Sequence, residues 1–233
     1  MINAALFWSG GKDSALCLHK ILQEGNYRVC YLITTLNSEF DRISMHGIRA
    51  ELLDRQQEAI GIPLKKMFVS EATNAHYEQE LIHVFNGLRN ENIHYIIFGD
   101  IFLEDIRSYR EKLLSDHQMQ GVFPLWKISS KELMNSFLLS GFKAIICCVD
   151  SSILDKTWVG KELNSKFLEE LPANIDCCGE NGEFHSFAFD GPIFQYPVKF
   201  NIGGKIFRPL EISQAEEHAS VTKGFWFVDL IPA

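Results

Sequence analysis

Across its first half the chain alternates short apolar runs with longer stretches whose apolar residues recur at helical period. A chain written this way has few options, because each short strand must reach the next through a helical crossover, which builds βαβ units and a parallel sheet. Five strands are expected, at 4–8, 28–34, 64–69, 94–99 and, past a domain seam, 142–149. Helices are expected at 13–24, 47–60, 75–91 and 104–117. Right-handed crossovers of this length place helices on both faces of a Rossmann-like sheet.

After about residue 122 the pattern changes. Helices near 131–140 and 159–171 keep the α/β character, and then the sequence turns β-rich. Residues 196–202 and 205–212 read as a hairpin about the Gly203-Gly204 turn, with a last strand at 225–230. The division expected is a nucleotide-binding domain over 1–122 and a smaller α+β substrate-binding lobe over 123–233.

Hydrophobic residues make up 46% of the 233, enough for a packed core, which excludes disorder, collagen and coiled coil. The longest apolar runs, such as 144–149, fall far short of the roughly 20 residues of a membrane helix. No membrane partner is expected. The start, MINAALFWSGG, lacks a basic leader and a long apolar stretch, so a cytoplasmic location is expected. A net charge of −8 disfavours broad attraction to nucleic acid. The six cysteines fit neither a zinc knuckle nor a secreted disulfide framework and read as reduced thiols.

The most informative segment is Ser9-Gly10-Gly11-Lys12-Asp13-Ser14, between the first strand and the first helix. Unpaired N–H groups and the helix dipole face outward there, glycines let a ligand approach the backbone, and Ser9 and Ser14 add hydroxyls. Lys12 supplies positive charge, and Asp13 can hold hydrated Mg²⁺ between phosphates. A Walker A loop is excluded, since Leu6 stands where its first glycine belongs and Asp13 follows the lysine. The dinucleotide fingerprint is absent too. The competing interpretation is a tight turn with Asp13 as a cap, and the order of strand, loop and helix argues for phosphate.

SGGKDS in this position resembles the PP-loop of N-type ATP pyrophosphatases. The resemblance implies an adenine nucleotide alpha hydrolase type of fold, ATP as the cofactor, and AMP and pyrophosphate as products. It places adenine against the end of the second strand, around Ile33 to Leu36, with Ile33 and Thr34 as the contacts. Further strings narrow it: SMHG at 44–47, FGDIFLED at 98–105, RSYRE at 107–111, FPLW at 123–126, CGENGEFH at 178–185 and DGPIF at 190–194. Together these resemble the diphthine-ammonia ligase family over roughly residues 4–194. That resemblance implies an ATP-dependent amide ligase that activates a carboxylate as its adenylate and amidates it with ammonium.

Candidate roles follow. Gly99 and Asp100 end a parallel strand, where Asp100 could hold Mg²⁺ together with Asp13, contact a ribose, or only cap the next helix. Glu104, Asp105, Arg107 and Arg110 form a charged patch; Arg107 or Arg110 suits a clamp on carboxylate or phosphate, against the alternative of surface ion pairs. His46 is a candidate donor to the α-phosphate or an ordinary loop histidine. Glu180, Asn181, Glu183 and His185 could bind ammonium and acceptor, with a carboxylate or the imidazole as general base. With Lys12 and Asp13, the last three carboxyl and imidazole groups complete the expected catalytic set. Cys148, Cys178 and His185 offer donors for zinc without a spacing that fixes them together.

Residue 2 is Ile, and no glutaminase domain is expected, so the nitrogen source expected is free ammonium or ammonia delivered by another protein. The acceptor is protein-bound diphthine, as the resemblance implies, or a small-metabolite carboxylate. A tRNA-modifying PP-loop enzyme and a non-catalytic adenine nucleotide sensor are the alternatives. A homodimer is the expected assembly.

Overall fold

A computed structural model describes residues 1–43, 46–69, 74–210 and 223–233. Five parallel strands form the first sheet in the order β3-β2-β1-β4-β5, comprising β1 (Ile2–Phe7), β2 (Tyr27–Asn37), β3 (Leu64–Val69), β4 (Tyr95–Ile97) and β5 (Gln120–Val122). The crossover helices are α1 (Lys12–Glu24), α2 (Ala50–Ile60), α3 (Asn74–Asn90) and α4 (Glu104–Asp116). Buried side chains of α3 and α4 join one apolar cluster, among them Leu81, Phe85 and Leu114. Those of α1 and α2 join another. Helices therefore cover both faces, as the alternation predicts, and the fold is Rossmann-like.

A second, four-stranded antiparallel sheet follows, in the order β7-β6-β9-β8. Its strands are β6 (Lys143–Asp150), β7 (Phe184–Asp190), β8 (Phe200–Pro209) and β9 (Gly224–Pro232), with α5 (Ser130–Leu139) and α6 (Ser165–Glu170) alongside. The cluster beneath α1 and α2 continues through Phe137, Ile145, Phe167 and Phe187 of this lobe. One core therefore serves both sheets, which fixes the C-terminal strands against the start of α1.

Three expectations are corrected. Residues 142–149 are not a fifth parallel strand; they lie in the middle of the antiparallel sheet, between β7 and β9. The fifth parallel strand is β5, whose three residues are too few to show a period. An apolar run announces a strand buried on both faces without saying which direction its neighbours run. Gly203 and Gly204 do not turn a hairpin; β8 pairs with β9 on both sides of an irregularity between Ile202 and Lys205. A Cβ at Gly203 would lie 3.0 Å from the Asp229 carbonyl oxygen, so the glycine serves close strand approach. The end of the expected second arm, at 211–212, lies outside the described residues. Last, the helix expected over 159–171 shortens to α6, because Asn164 caps it by accepting from the Phe167 N–H at 3.0 Å.

Candidate active site

The phosphate-type loop leaves β1 at Trp8 and enters α1 at Lys12. Ser14 Oγ donates to the Gly11 carbonyl at 3.0 Å and lies 3.2 Å from Ser9 Oγ, so the two hydroxyls brace the loop from inside. Gly10 has φ +75°, and a Cβ there would meet Gln56 Oε1 at 2.8 Å, so only glycine passes this turn. Gln56 is fully buried. It accepts from Trp8 Nε1 at 2.8 Å and donates to the Gly10 and Ala188 carbonyls at 3.0 and 2.6 Å. One amide thus ties α2, the loop and β7 together.

The C-terminal lobe completes the loop. The Lys12 N–H donates to Ser186 Oγ at 3.2 Å, and the Ala188 N–H to the Gly10 carbonyl at 2.8 Å. Lys12 itself is buried, its Nζ 2.7 Å from Asp13 Oδ2. Burial alone would lower its pKa, but Asp13 and its neighbouring acids outweigh that and hold it above the ordinary value.

These parts open on a cavity of about 520 Å³. The structure brings Ser9, Lys12, Asp13, Ser14, Ile33, Thr34, His46, Gly99, Asp100, Arg110, Glu180 and His185 to its walls. Gly10 and Gly11 belong to the same loop without lining the cavity. A Cβ at Gly99 would stand 3.1 Å from the Asp13 carbonyl oxygen, so the end of β4 packs directly on the start of α1. Three buried polar atoms on these walls, Thr34 Oγ1, Asp100 Oδ2 and His185 Nε2, have no hydrogen-bond partner among the described residues. Such atoms point to a ligand that supplies the missing bond.

Other expected residues stand apart. Glu104 is exposed and paired with Lys127 at 3.3 Å. Arg107 pairs with Glu111 at 2.7 Å and stacks over Phe123 and Trp126. Helical geometry explains this, since positions 104, 107 and 111 share one face of α4 while 106, 110 and 113 share the opposite one. Glu183 is buried behind the cavity wall, where its carboxylate accepts from the Asp176 and Asn181 backbone N–H groups and from Asn181 Nδ2. Asn181 faces solvent. Cys178 Sγ donates to the Ser130 carbonyl at 3.3 Å, and no group of three metal-binding side chains forms among the described residues.

Electrostatics divides the cavity. Burial, reinforced by Asp13, pushes the Glu180 carboxyl up to about 8. Burial also raises Asp100, with Arg110 opposing from 3.4 Å. The His46 and His185 rings lie 4.6 Å apart. Burial lowers His46 to about 4, against the Ser186 carbonyl 3.1 Å from its Nδ1. Burial, then His46 and Lys12, drives His185 well below the usual imidazole range. Both rings are therefore neutral at pH 7, and Glu180 is the titrating group nearest neutrality.

Gln56 and Ser186 went unread in the sequence. Gln56 left a trace, for it occupies a position of the buried stripe of α2 otherwise filled by Leu52, Leu53, Ala59 and Ile60. Ser186 left none.

A parallel α/β sheet that offers a glycine loop and a helix N-terminus to one deep cavity is the architecture of a PP-loop nucleotide-binding protein. The chain belongs to the diphthamide synthase family: residues 2–120 match its N-terminal domain and residues 129–229 its C-terminal domain. It is 26% identical over 221 residues to a Mus musculus protein named diphthine–ammonia ligase, covering 84% of this chain and 82% of that protein. The Danio rerio protein of the same name is 25% identical over 213 residues, covering 82% and 83%. For the Saccharomyces cerevisiae protein of that name, identity is 25% over 227 residues, spanning 81% of this chain but 33% of the relative.

Proposed function

We propose that the chain is an ATP-dependent, AMP-forming ligase that amidates a carboxylate with ammonium, acting on diphthine as the names of its relatives indicate. The observation that carries this reading is the meeting of the phosphate-type loop with the 178–186 segment in one cavity, with Lys12 bonded to Ser186 at its floor. Residues 1–122 would hold the nucleotide and 123–233 the acceptor side.

In this reading the loop at 9–14 and Lys12 hold the β- and γ-phosphates, with Ile33 and the unpartnered Thr34 hydroxyl toward adenine and ribose. The acceptor carboxylate attacks the α-phosphorus, an O–P bond forms, and pyrophosphate leaves with the displaced electron pair. Glu180 in its ionised form takes a proton from ammonium, and the ammonia released attacks the acyl carbon. The C–O bond to AMP breaks, and the surplus proton on nitrogen passes to solvent or an unprotonated carboxylate. A carboxyl tuned to about 8 matches this task better than the two neutral, strongly depressed imidazoles. His185 Nε2 and His46 are suited to hydrogen bonding at the α-phosphate and adenylate.

The Asp13 and Asp100 carboxylates fit Mg²⁺, a hard cation that takes one or two protein oxygens and completes its shell from phosphate and water. Bound there it would neutralise phosphate charge and hold the leaving pyrophosphate in line.

With MgATP, ammonium and a diphthine-bearing protein, the expected result is AMP and pyrophosphate in equal amounts with new amide. Release of ADP, or AMP without amide, would overturn the proposal.

A further inference from the structure

The first turn of α1 is capped from a distance. Gly11 holds the N-cap position and has no side chain to offer. The oxygen that takes the Lys12 N–H comes instead from Ser186, 174 positions away on β7, at 3.2 Å. The Gly11 N–H is taken in the same manner by Ser9 Oγ at 3.3 Å. Two amides that a glycine loop at a helix start would otherwise turn to an anion are therefore already met by serine hydroxyls.

The strand under Ser186 is fastened to the loop on every side. The Ala188 N–H donates to the Gly10 carbonyl at 2.8 Å, and Gln56 bridges the Gly10 and Ala188 carbonyls. His46 Nδ1 lies 3.1 Å from the Ser186 carbonyl and donates to it, since a carbonyl only accepts. A Cβ at Gly11 would stand 3.0 Å from that same carbonyl oxygen, so backbone rests on backbone there. The hydroxyl of Ser186 is thus held at the Lys12 N–H by a frame that does not depend on a ligand.

A serine hydroxyl carries one hydrogen and two acceptor positions. Lys12 uses one acceptor position, and among the described residues no group receives the hydrogen. Ser186 is nevertheless 2% exposed, and it lies on the wall of the large cavity with Lys12 and Asp13. A buried O–H whose oxygen is polarised by a backbone N–H is a donor waiting for an acceptor that the cavity must admit. Phosphate oxygens offer acceptors only, and a hydroxyl bond to an ionised oxygen is one of the stronger kinds.

We propose that Ser186 is a phosphate-binding residue supplied to the loop by the C-terminal lobe. Its hydroxyl keeps the Lys12 N–H and donates its own hydrogen to an oxygen of the β- or γ-phosphate. The proposal rests on the reading that the loop at 9–14 holds those two phosphates, and it adds that both lobes build their site. The contact leaves with pyrophosphate, and AMP retains none of it.

Calorimetric titration of the full chain with MgATP and, separately, with AMP tests this. Ser186→Ala removes the donor and should weaken ATP binding by about tenfold or more while leaving AMP within about twofold of wild type. Ser186→Thr keeps the hydroxyl and should hold ATP within about threefold of wild type. The melting temperature of each variant checks its folding. If Ser186→Ala bound ATP as tightly as wild type, or more tightly, the hydroxyl would be a cap that gives way to phosphate, and the proposal would fall. Equal weakening of ATP and AMP would make Ser186 a support of the loop and would overturn it too. Wild-type protein that itself bound AMP and ATP alike would instead remove the β- and γ-phosphates from the loop, and Ser186 with them. Selective loss of ATP in Ser186→Ala, together with no amide formed by wild type, would uphold the contact and remove only the ligase chemistry.

Discussion

Asp229 on the last strand receives Arg49 in a two-pronged contact, with Nε 3.0 Å from Oδ1 and Nη2 2.7 Å from Oδ2. Arg42 joins from the same side at 3.0 Å and also donates to the Gly47 carbonyl at 2.7 Å. Both arginines flank the loop that carries His46, and a Cβ at Gly47 would strike the Phe227 ring at 2.6 Å. The C-terminal lobe therefore grips the loop by charge and by contact, and through it positions one wall of the large cavity.

Replacing Asp229 by Asn should cost about 1–2 kcal/mol, a figure kept low because Arg49 is 40% exposed. The melting temperature at pH 7 should fall by roughly 2–8 °C. The Arg49 hydrogen bond, with Arg42 behind it, holds the Asp229 carboxyl below its usual range against the effect of burial. A depressed carboxyl contributes stability above its unfolded pKa of about 3.9 and loses it as pH falls through the lower folded value. Wild-type and variant melting curves should thus converge as pH drops below about 4. A gap that stayed constant through acid would show that the carboxylate charge is irrelevant.

Gln56 supports the loop from below, and its three bonds cannot be replaced by shape alone. Gln56→Leu leaves Trp8 Nε1 and the Ala188 carbonyl without their side-chain partner in a dry site, costing about 2–4 kcal/mol. Gln56→Glu keeps an acceptor for Trp8 but turns a carboxylate oxygen toward two carbonyls, so it should be the worse of the two at pH 7. Calorimetry on both variants, with ATP titration, checks the order. Equal stability of the two would mean that the Gly10 and Ala188 contacts carry little.

The N-terminal sheet was legible because each of its long elements carries its own period and its connections are short. The loop at 9–14 was legible for the same reason, its place being fixed by the local order of strand, glycine and helix. What stayed hidden was long-range. Lys12 meets Ser186, Gln56 meets Ala188, and Arg49 meets Asp229, each across more than a hundred residues. Nothing in a single sequence records such partners. Glu180 and Glu183 illustrate the limit: a shared short turn places them together, yet backbone N–H groups draw Glu183 behind the wall while Glu180 faces the cavity.

In the proposed reaction Glu183 is a positioning residue. Its carboxylate accepts from three N–H groups, and Gln offers one acceptor oxygen with an NH₂ turned against a remaining donor. Glu183→Gln should lower amide formation by about tenfold through displacement of Glu180, while leaving ATP affinity unchanged. Its pH–rate profile should keep the wild-type limb near 8, since the titrating group is still present. A profile that lost this limb would make Glu183 itself the base.

Glu180→Gln tests the base directly. The ionised carboxylate is the active form, so the wild-type rate of amide formation should rise with pH through about 8, and the variant should lose that limb together with about 10²–10⁴-fold in rate. Stability should move the other way. A carboxyl raised from about 4.3 in the unfolded chain favours the folded state fully at low pH, and that contribution drains away as pH climbs toward the folded value. Burial beside Asp13 is the source of the cost, and a neutral amide does not incur it. At pH 9 the variant should melt above wild type, whereas at pH 4 the two should differ little. A variant that is slower and also less stable at pH 9 would place Glu180 in a structural ion pair. One that is slower but more stable would mean that the folded protein carries this strained carboxyl for the sake of its chemistry.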